Sequence, residues 1–281
     1  MKYIEIKAPV KINIGLNIVK KRDDGFHNLE TFFYPINDLF DELTFKRSDK
    51  FSFEMKETSI KYQDKLQSNL VVKAKNILEE KTGKKLTAKI TLKKNIPIGA
   101  GLGGGSSDAA STLICLNEMF NLKIKNEQMI EIALKLGSDV PFFLKAKPAV
   151  GKSRGEILSI KEFSVPYYIL LVNPGIHVST KEAFASINPV KSNINYDDTF
   201  KDFNSFWLHH NNVRNDFESY VFSKHPEIKQ IKELLNENGS LFSLMSGSGS
   251  TVYGFFESFE QALHTKQLFP VNYTSFISRP E

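Results

Sequence analysis

A chain of 281 residues, 41% of them hydrophobic, can bury a sizeable core and is long enough for one large domain or two modest ones. Its single cysteine, Cys115, excludes a disulfide framework and points to a reducing cytosol, no apolar run approaches the ~18 residues of a membrane span, and the opening "MKYIEIKAPVKINIGL" has no signal-peptide pattern. The formal charge of +5 comes with 32 lysines and five arginines, dispersed along the chain; base reading and bidentate phosphate grips favour arginine, so a solvated lysine-rich surface is preferred over a nucleic-acid partner.

In chain order, residues 3–19 read as extended, with Pro9 as an interruption. Residues 41–48 ("DELTFKRS") and 50–57 ("KFSFEMKE") read as strands. Residues 69–83 read as a helix with Asn69 as its cap and Gly83 as its stop, and 85–94 return to a strand. The segment "SSDAASTLICLNEMFN" from Ser106 is helical in period. Leu113, Leu116, Met119 and Phe120 share one stripe, and Cys115 lies beside it as a packing residue. Residues 126–137 form a further helix ending at Gly137, after which Pro141 and Pro148 act as breakers. Residues 165–175 read as a buried strand, and Ser179 with Glu182 as a capping box. The polar stretch 188–204 reads as a loop, 227–239 as a helix, 241–258 as two strands around a glycine-serine turn, and 259–269 as a last helix. The whole is α+β, with a boundary near 155.

The segment that carries chemistry is "NIPIGAGLGGGSSDAAS", residues 95–111, with five glycines ahead of a helix. Gly99, Gly101 and Gly104 satisfy G-x-G-x-x-G, but "NIP" separates them from the strand, and the acidic residue a dinucleotide fold needs is missing where a helix follows. No lysine follows the glycines, which excludes a Walker A loop, and the protein-kinase signatures are absent. What remains is an anion cradle: glycines that allow close approach, then a helix N-terminus opened by Ser106 and Ser107. The histidines offer no metal pattern, since His209 and His210 are adjacent and point apart.

Together "PIGAGLGGGSSDAA", "APVKINIGLNIVKKRDDGFHNLET", "LGSDVPFF" and "LMSGSGSTVYGFF" resemble, in the correct order, the motifs of the GHMP kinases, a family of small-molecule kinases unrelated to the P-loop type. The resemblance covers most of the chain, least between about 185 and 235. It implies a two-domain α+β fold: an N-terminal ribosomal-S5-domain-2-like ATP-binding domain (1–155), a C-terminal ferredoxin-like α/β sandwich that binds substrate (156–281), and an active site in the cleft between them. It also implies ATP with Mg²⁺ and a cytidine diphosphate acceptor from isoprenoid precursor synthesis, with no nucleic acid or membrane partner, in a cytoplasmic monomer or weak dimer. The rivals are another kinase of the family, of homoserine or mevalonate type, and a non-catalytic nucleotide- or RNA-binding module; "DGFH" suits a nucleobase that the first lacks.

By the same resemblance Lys11 and Asp139 flank the acceptor hydroxyl as catalytic residues. Asn13 contacts substrate, Phe26 and Phe184 sandwich the cytosine, and His27 bonds its edge; phenylalanine stands at 26 where tyrosine is commoner. Asn69 and Lys94 line the adenine and ribose. Pro97, Gly99, Gly101, Gly103, Gly104, Gly105, Ser106 and Ser107 form the phosphate cradle, with Ser107 as a candidate Mg²⁺ contact. Read without the resemblance, Lys11 is an exposed lysine on an edge strand, Asp139 a turn residue, Asn69 a helix cap, Lys94 a solvated strand end and Phe184 helix core. Asp108, placed in the helix's first turn, either helps with Mg²⁺ or only complements the dipole, the second being preferred.

Overall fold

The computed structural model describes residues 3–57, 68–189 and 192–280. By packing, the chain forms two compact units that interleave along the sequence rather than dividing at one point. The first holds residues 1–10, 39–98 and 103–146, and the second 11–38, 99–102 and 147–281.

Two long strands, β1 (Tyr3–Lys21) and β2 (His27–Arg47), contribute to both units. β1 runs through Pro9 without interruption. Among the described strands it pairs with β2 alone, and on an unpaired edge a missing N–H costs nothing. In the first unit, β3 (Ser52–Glu57) lies parallel to β4 (Ala88–Lys94). β4 in turn lies antiparallel to the end of β2, from Glu42 opposite Lys93 to Arg47 opposite Ala88.

Among the described residues, four helices complete this unit. α1 (Leu70–Thr82) is capped as expected: the Asn69 side chain accepts from the Val71 amide at 2.9 Å, and Gly83 closes the helix at φ 67°. α2 (Gly104–Met119) starts two residues earlier than read, at Gly104, because Gly103 takes the left-handed conformation at φ 72° and turns the loop into the helix. Leu113, Cys115, Leu116 and Met119 are buried along it. α3 (Asn126–Leu136) ends at Gly137. Pro141, read as a breaker, instead sits in the first turn of α4 (Val140–Phe143), where its missing N–H is no loss.

The second unit contains the hairpin β5 (Ala149–Ser153) and β6 (Ile157–Ile160), with β5 antiparallel to the start of β2. It continues through β7 (Tyr168–Asn173) and five helices: α5 (Thr180–Ala185), α6 (Tyr196–Thr199), α7 (Phe203–His209), α8 (Glu218–Lys224) and α9 (Pro226–Glu237). β8 (Phe242–Met245), β9 (Val252–Phe256), α10 (Phe259–Gln267) and β10 (Thr274–Ser278) complete it. The sheet order β10-β7-β9-β8, antiparallel throughout, is that of a ferredoxin-like sandwich. Its core joins Leu170, Val172, Val252 and Phe256 of the sheet to Val221, Ile228, Ile231 and Leu235 of α8 and α9. No described helix is long and apolar enough to cross a membrane.

The stretch 188–204, read as a loop, carries α6 and the start of α7, residues 190 and 191 lying outside the described residues. Its polar composition hides Tyr196, Phe200 and, just beyond, Phe206, all buried. Phe200 stacks on Phe32 with centroids 4.3 Å apart and on Phe206 at 5.5 Å. Phe200→Ala should therefore cost about 3–5 kcal/mol of unfolding free energy, read as a lower urea midpoint.

Candidate active site

Lys11 lies on β1 with 3% of its surface exposed, so it is not the solvated edge lysine its sequence position allows. Its ammonium donates to Asn13 Oδ1 at 2.6 Å and to the Gly101 carbonyl at 2.9 Å. Asn13, equally buried, donates from Nδ2 to Thr31 Oγ1 at 2.8 Å and from its backbone to Ser246 Oγ at 3.2 Å, while Tyr253 donates to its carbonyl at 3.0 Å. Ser246 Oγ also donates to the Gly101 carbonyl, at 2.9 Å. Gly101 stands at φ 77°, and a Cβ there would meet the Gly249 carbonyl at 2.9 Å and overlap that of Ser246. Only glycine fits both the conformation and the space. The turn 246–251 is thus a tight turn and also a lid over one glycine of the loop, held from behind by Asn215 Nδ2 on the Met245 and Gly247 carbonyls at 2.7 and 2.8 Å.

In the first unit the loop becomes α2. Gly103 offers no side chain to cap the helix, so the amides of its first turn keep their donors for an anion. Ser107 Oγ is buried and has no hydrogen-bond partner among the described residues, and Asp108 Oδ1 is in the same state. Both lack the partner that a buried oxygen ordinarily has. The other oxygen of Asp108 accepts from Lys94 Nζ at 3.0 Å, and Lys94 also bonds Asp41 Oδ2. Asp41 accepts further from the amides of Asn95 and Ile96 at 2.6 and 3.0 Å.

Lys94 is therefore a buried ammonium between two carboxylates, not a solvated strand end. Burial alone would depress its pKa; Asp108 and Asp41 outweigh that and hold it above the ordinary value. Burial pushes Asp108 up to about 7 against the pull of Lys94, with Asp41 adding to the rise. Asp108 is the fifth residue of α2, past its first turn, and serves this ion-pair network rather than the dipole.

Asn69 caps α1. Asp139, half-buried, directly precedes α4 without capping it through its side chain. In the second unit, His27 stacks on Phe184 with centroids 5.1 Å apart, and Phe184 meets Phe217 edge-on at 4.9 Å. Phe184 thus meets His27 directly, while Phe26, 47% exposed, carries the Arg154 guanidinium 3.7 Å above its ring. Burial, with Lys21 nearby, pushes the His27 imidazole down and keeps it neutral at pH 7.

Two family profiles match the chain: the GHMP kinases N terminal domain over residues 69–147 and the GHMP kinases C terminal over 204–265. A 4-diphosphocytidyl-2-C-methyl-D-erythritol kinase of Chlorobium phaeobacteroides is 40% identical, covering 100% of this chain and 98% of that protein. The chain belongs to the GHMP kinase family. A kinase of the same name from Bacteroides fragilis is 42% identical over 89% of this chain and 91% of its own. A solved 4-(cytidine 5'-diphospho)-2C-methyl-D-erythritol kinase superposes with a TM-score of 0.82 at 28% identity, covering 98% of each chain. A homoserine kinase from Cytophaga hutchinsonii, at 18% identity and a TM-score of 0.72 over 100% of this chain and 95% of its own, shares the GHMP kinase fold.

Several residues around the family motifs escaped the sequence. Asp41 and Asn215 carry no motif, and the bonds that tie them to Lys94 and Met245 span 53 and 30 positions. Arg154 had one available signal, an arginine in a Gly-containing turn, which is too common to single out. Lys94 is the partner whose loss is most exposed to test. Lys94→Met leaves two buried carboxylates facing each other and should cost about 3–5 kcal/mol, read by chemical unfolding.

Proposed function

We propose that the chain is an ATP-dependent kinase that phosphorylates the 2-hydroxyl of 4-diphosphocytidyl-2-C-methyl-D-erythritol. The products are the 2-phosphate and ADP, in non-mevalonate isoprenoid precursor synthesis. The observation that carries this is the full-length relationship to the kinase of that name, 40% identical from end to end. Likeness to homoserine and mevalonate kinases extends to the fold alone, at 18% and 15% identity. The reaction is soluble metabolism, and we place it in the cytoplasm.

In this reading the amides at the start of α2, Ser106 and Ser107 hold the ATP phosphates. The buried, unpartnered hydroxyl of Ser107 fits an ATP-borne Mg²⁺ as an oxygen ligand. When bound, that ion neutralises charge between the β- and γ-phosphates. Asn69 and Lys94 belong to the nucleotide side through what they hold in place: Asn69 the start of α1, Lys94 the base of α2. On the acceptor side, Asp139 takes the proton of the 2-hydroxyl as its oxygen attacks the γ-phosphorus and the bond to ADP breaks. Lys11, its ammonium already oriented by Asn13 and Gly101, stabilises the negative charge that develops. Phe26, His27, Phe184 and Asn13 receive the cytidine diphosphate acceptor, a neutral His27 being able to donate from one ring nitrogen and accept at the other.

Phosphate transfer from γ-labelled ATP to 4-diphosphocytidyl-2-C-methyl-D-erythritol is expected, with homoserine and mevalonate inert. Transfer to either of those instead would overturn the substrate. Asp139→Asn should lower kcat by about 10²–10⁴-fold with acceptor KM retained; an unchanged kcat would remove Asp139 from the chemistry.

A further inference from the structure

The turn joining β1 to β2 and the turn joining β5 to β6 are fastened to each other in the second unit. Arg22 reaches back to both Asp24 oxygens from Nε at 3.1 and 3.0 Å, and one terminal nitrogen donates to Asn28 Oδ1 and to Ser153 Oγ, each at 3.1 Å. The backbone of Phe26 is held within this knot. Its carbonyl accepts from the Arg22 amide at 2.8 Å, and its amide donates to Asp24 Oδ1 at 3.1 Å.

Its side chain has no such anchor. Phenylalanine at 26 lacks a hydroxyl, and nearly half of the residue, 47%, is exposed. What fixes the ring is the guanidinium of Arg154, 3.7 Å from the centroid. Arg154 itself is placed with care. Ser153 and Gly155 on either side hold left-handed backbone at φ 63° and 105°. The Arg154 amide donates to Glu156 Oε2 at 2.7 Å, and the Gly155 amide closes the turn on the Lys152 carbonyl at 3.0 Å. A Cβ at Gly155 would stand 3.3 Å from the Phe33 ring, so the turn is seated on β2.

An aromatic ring with a cation on one face and solvent at the other is a stacking platform for one further planar group. The geometry points to Arg154 as a specificity-determining positioning residue, which acts through Phe26 by holding its ring as one wall of a pyrimidine nucleoside diphosphate site. This rests on reading the chain as a kinase with a cytidine diphosphate acceptor. A planar guanidinium suits the task better than an ammonium, because it can stack on an aromatic face as a point charge cannot.

The test is steady-state kinetics of Arg154→Gln, Arg154→Lys, Phe26→Ala and the double variant Phe26→Ala/Arg154→Gln, with thermal melts alongside. Arg154→Gln should raise the acceptor KM about 5–30-fold, the range a partly desolvated cation–π contact supports, and leave kcat and the ATP KM unchanged. Arg154→Lys, which keeps the cation without the plane, should fall between. In the Phe26→Ala background Arg154→Gln should add nothing, since the group it positions is gone. A full effect of Arg154→Gln in that background, or no effect in the wild-type background, overturns the inference while the kinase reading stands. A wild-type protein that does not phosphorylate the cytidine diphosphate acceptor overturns both. Should Arg154→Gln melt early, the KM of Arg154→Lys decides by the same comparison.

Discussion

The carbonyl oxygen of Gly101 accepts two hydrogen bonds, one from the Lys11 ammonium at 2.9 Å and one from the Ser246 hydroxyl at 2.9 Å. Three segments that look unrelated in the sequence, at 11, 101 and 246, are tied at this one atom. The tie is one that a buried lysine demands, because an ammonium taken out of water needs oxygen partners of fixed geometry. Gly101 can supply its carbonyl only from a left-handed backbone with no Cβ, since the turn 246–251 lies against it. Lys11 fixes the loop, the loop admits the turn, and the turn, through Ser246, returns to the backbone of Asn13. A change at any one of these positions reaches the others.

A second constraint works within the first unit, at the start of α2. Lys94 joins the end of β4 to Asp41 of β2 and Asp108 of α2, so the start of α2 is fixed to the sheet behind it. The glycines then have a stationary end. This matters because a flexible glycine loop between two mobile ends would lose on binding whatever it gained from close approach. Gly104 is part of the same packing: a Cβ there would stand 3.2 Å from Lys94 Nζ.

Much of this was legible in the sequence wherever one residue type has one physical job. Asn69 and Gly83 bounded α1 because caps are local. The ferredoxin-like order of the last four strands followed from the family motifs. The fold class and the glycine loop could be read because their chemistry is carried by consecutive residues. What could not be read depends on partners far along the chain. Pro141 reads as a breaker, yet it sits in the first turn of α4, where Val140, Phe142 and Phe143 are buried, and burial of that kind depends on distant partners. The aromatic residues around 200 disappear in Asn- and Asp-rich surroundings, because polarity averaged over a window outweighs single buried rings. Lys94 could be assigned to the nucleotide side by resemblance, yet nothing in "LKKNIP" shows that two carboxylates await it. The resemblance pairs Phe184 with Phe26 across a cytosine, whereas its aromatic neighbours in the structure are His27 and Phe217, pairings no spacing announces.

On the proposed reading, the state of Lys94 bears on how a phosphate would be held by a loop that lacks a lysine of its own. The Lys94 ammonium, which a Cβ at Gly104 would approach to 3.2 Å, is engaged by Asp41 and Asp108, so its charge is already answered. Attraction then falls to dipoles: the amides left uncapped by Gly103, the helix axis behind them and the Ser107 hydroxyl. Dipoles act over shorter distances than charges and only in the right direction. A site built from them discriminates by position, which is what phosphoryl transfer requires, and it is sensitive to any shift in the loop. On that reading the clamp at Lys94 would belong to the binding chemistry as much as to the fold, since it fixes the start of α2 and with it the direction of the donors there.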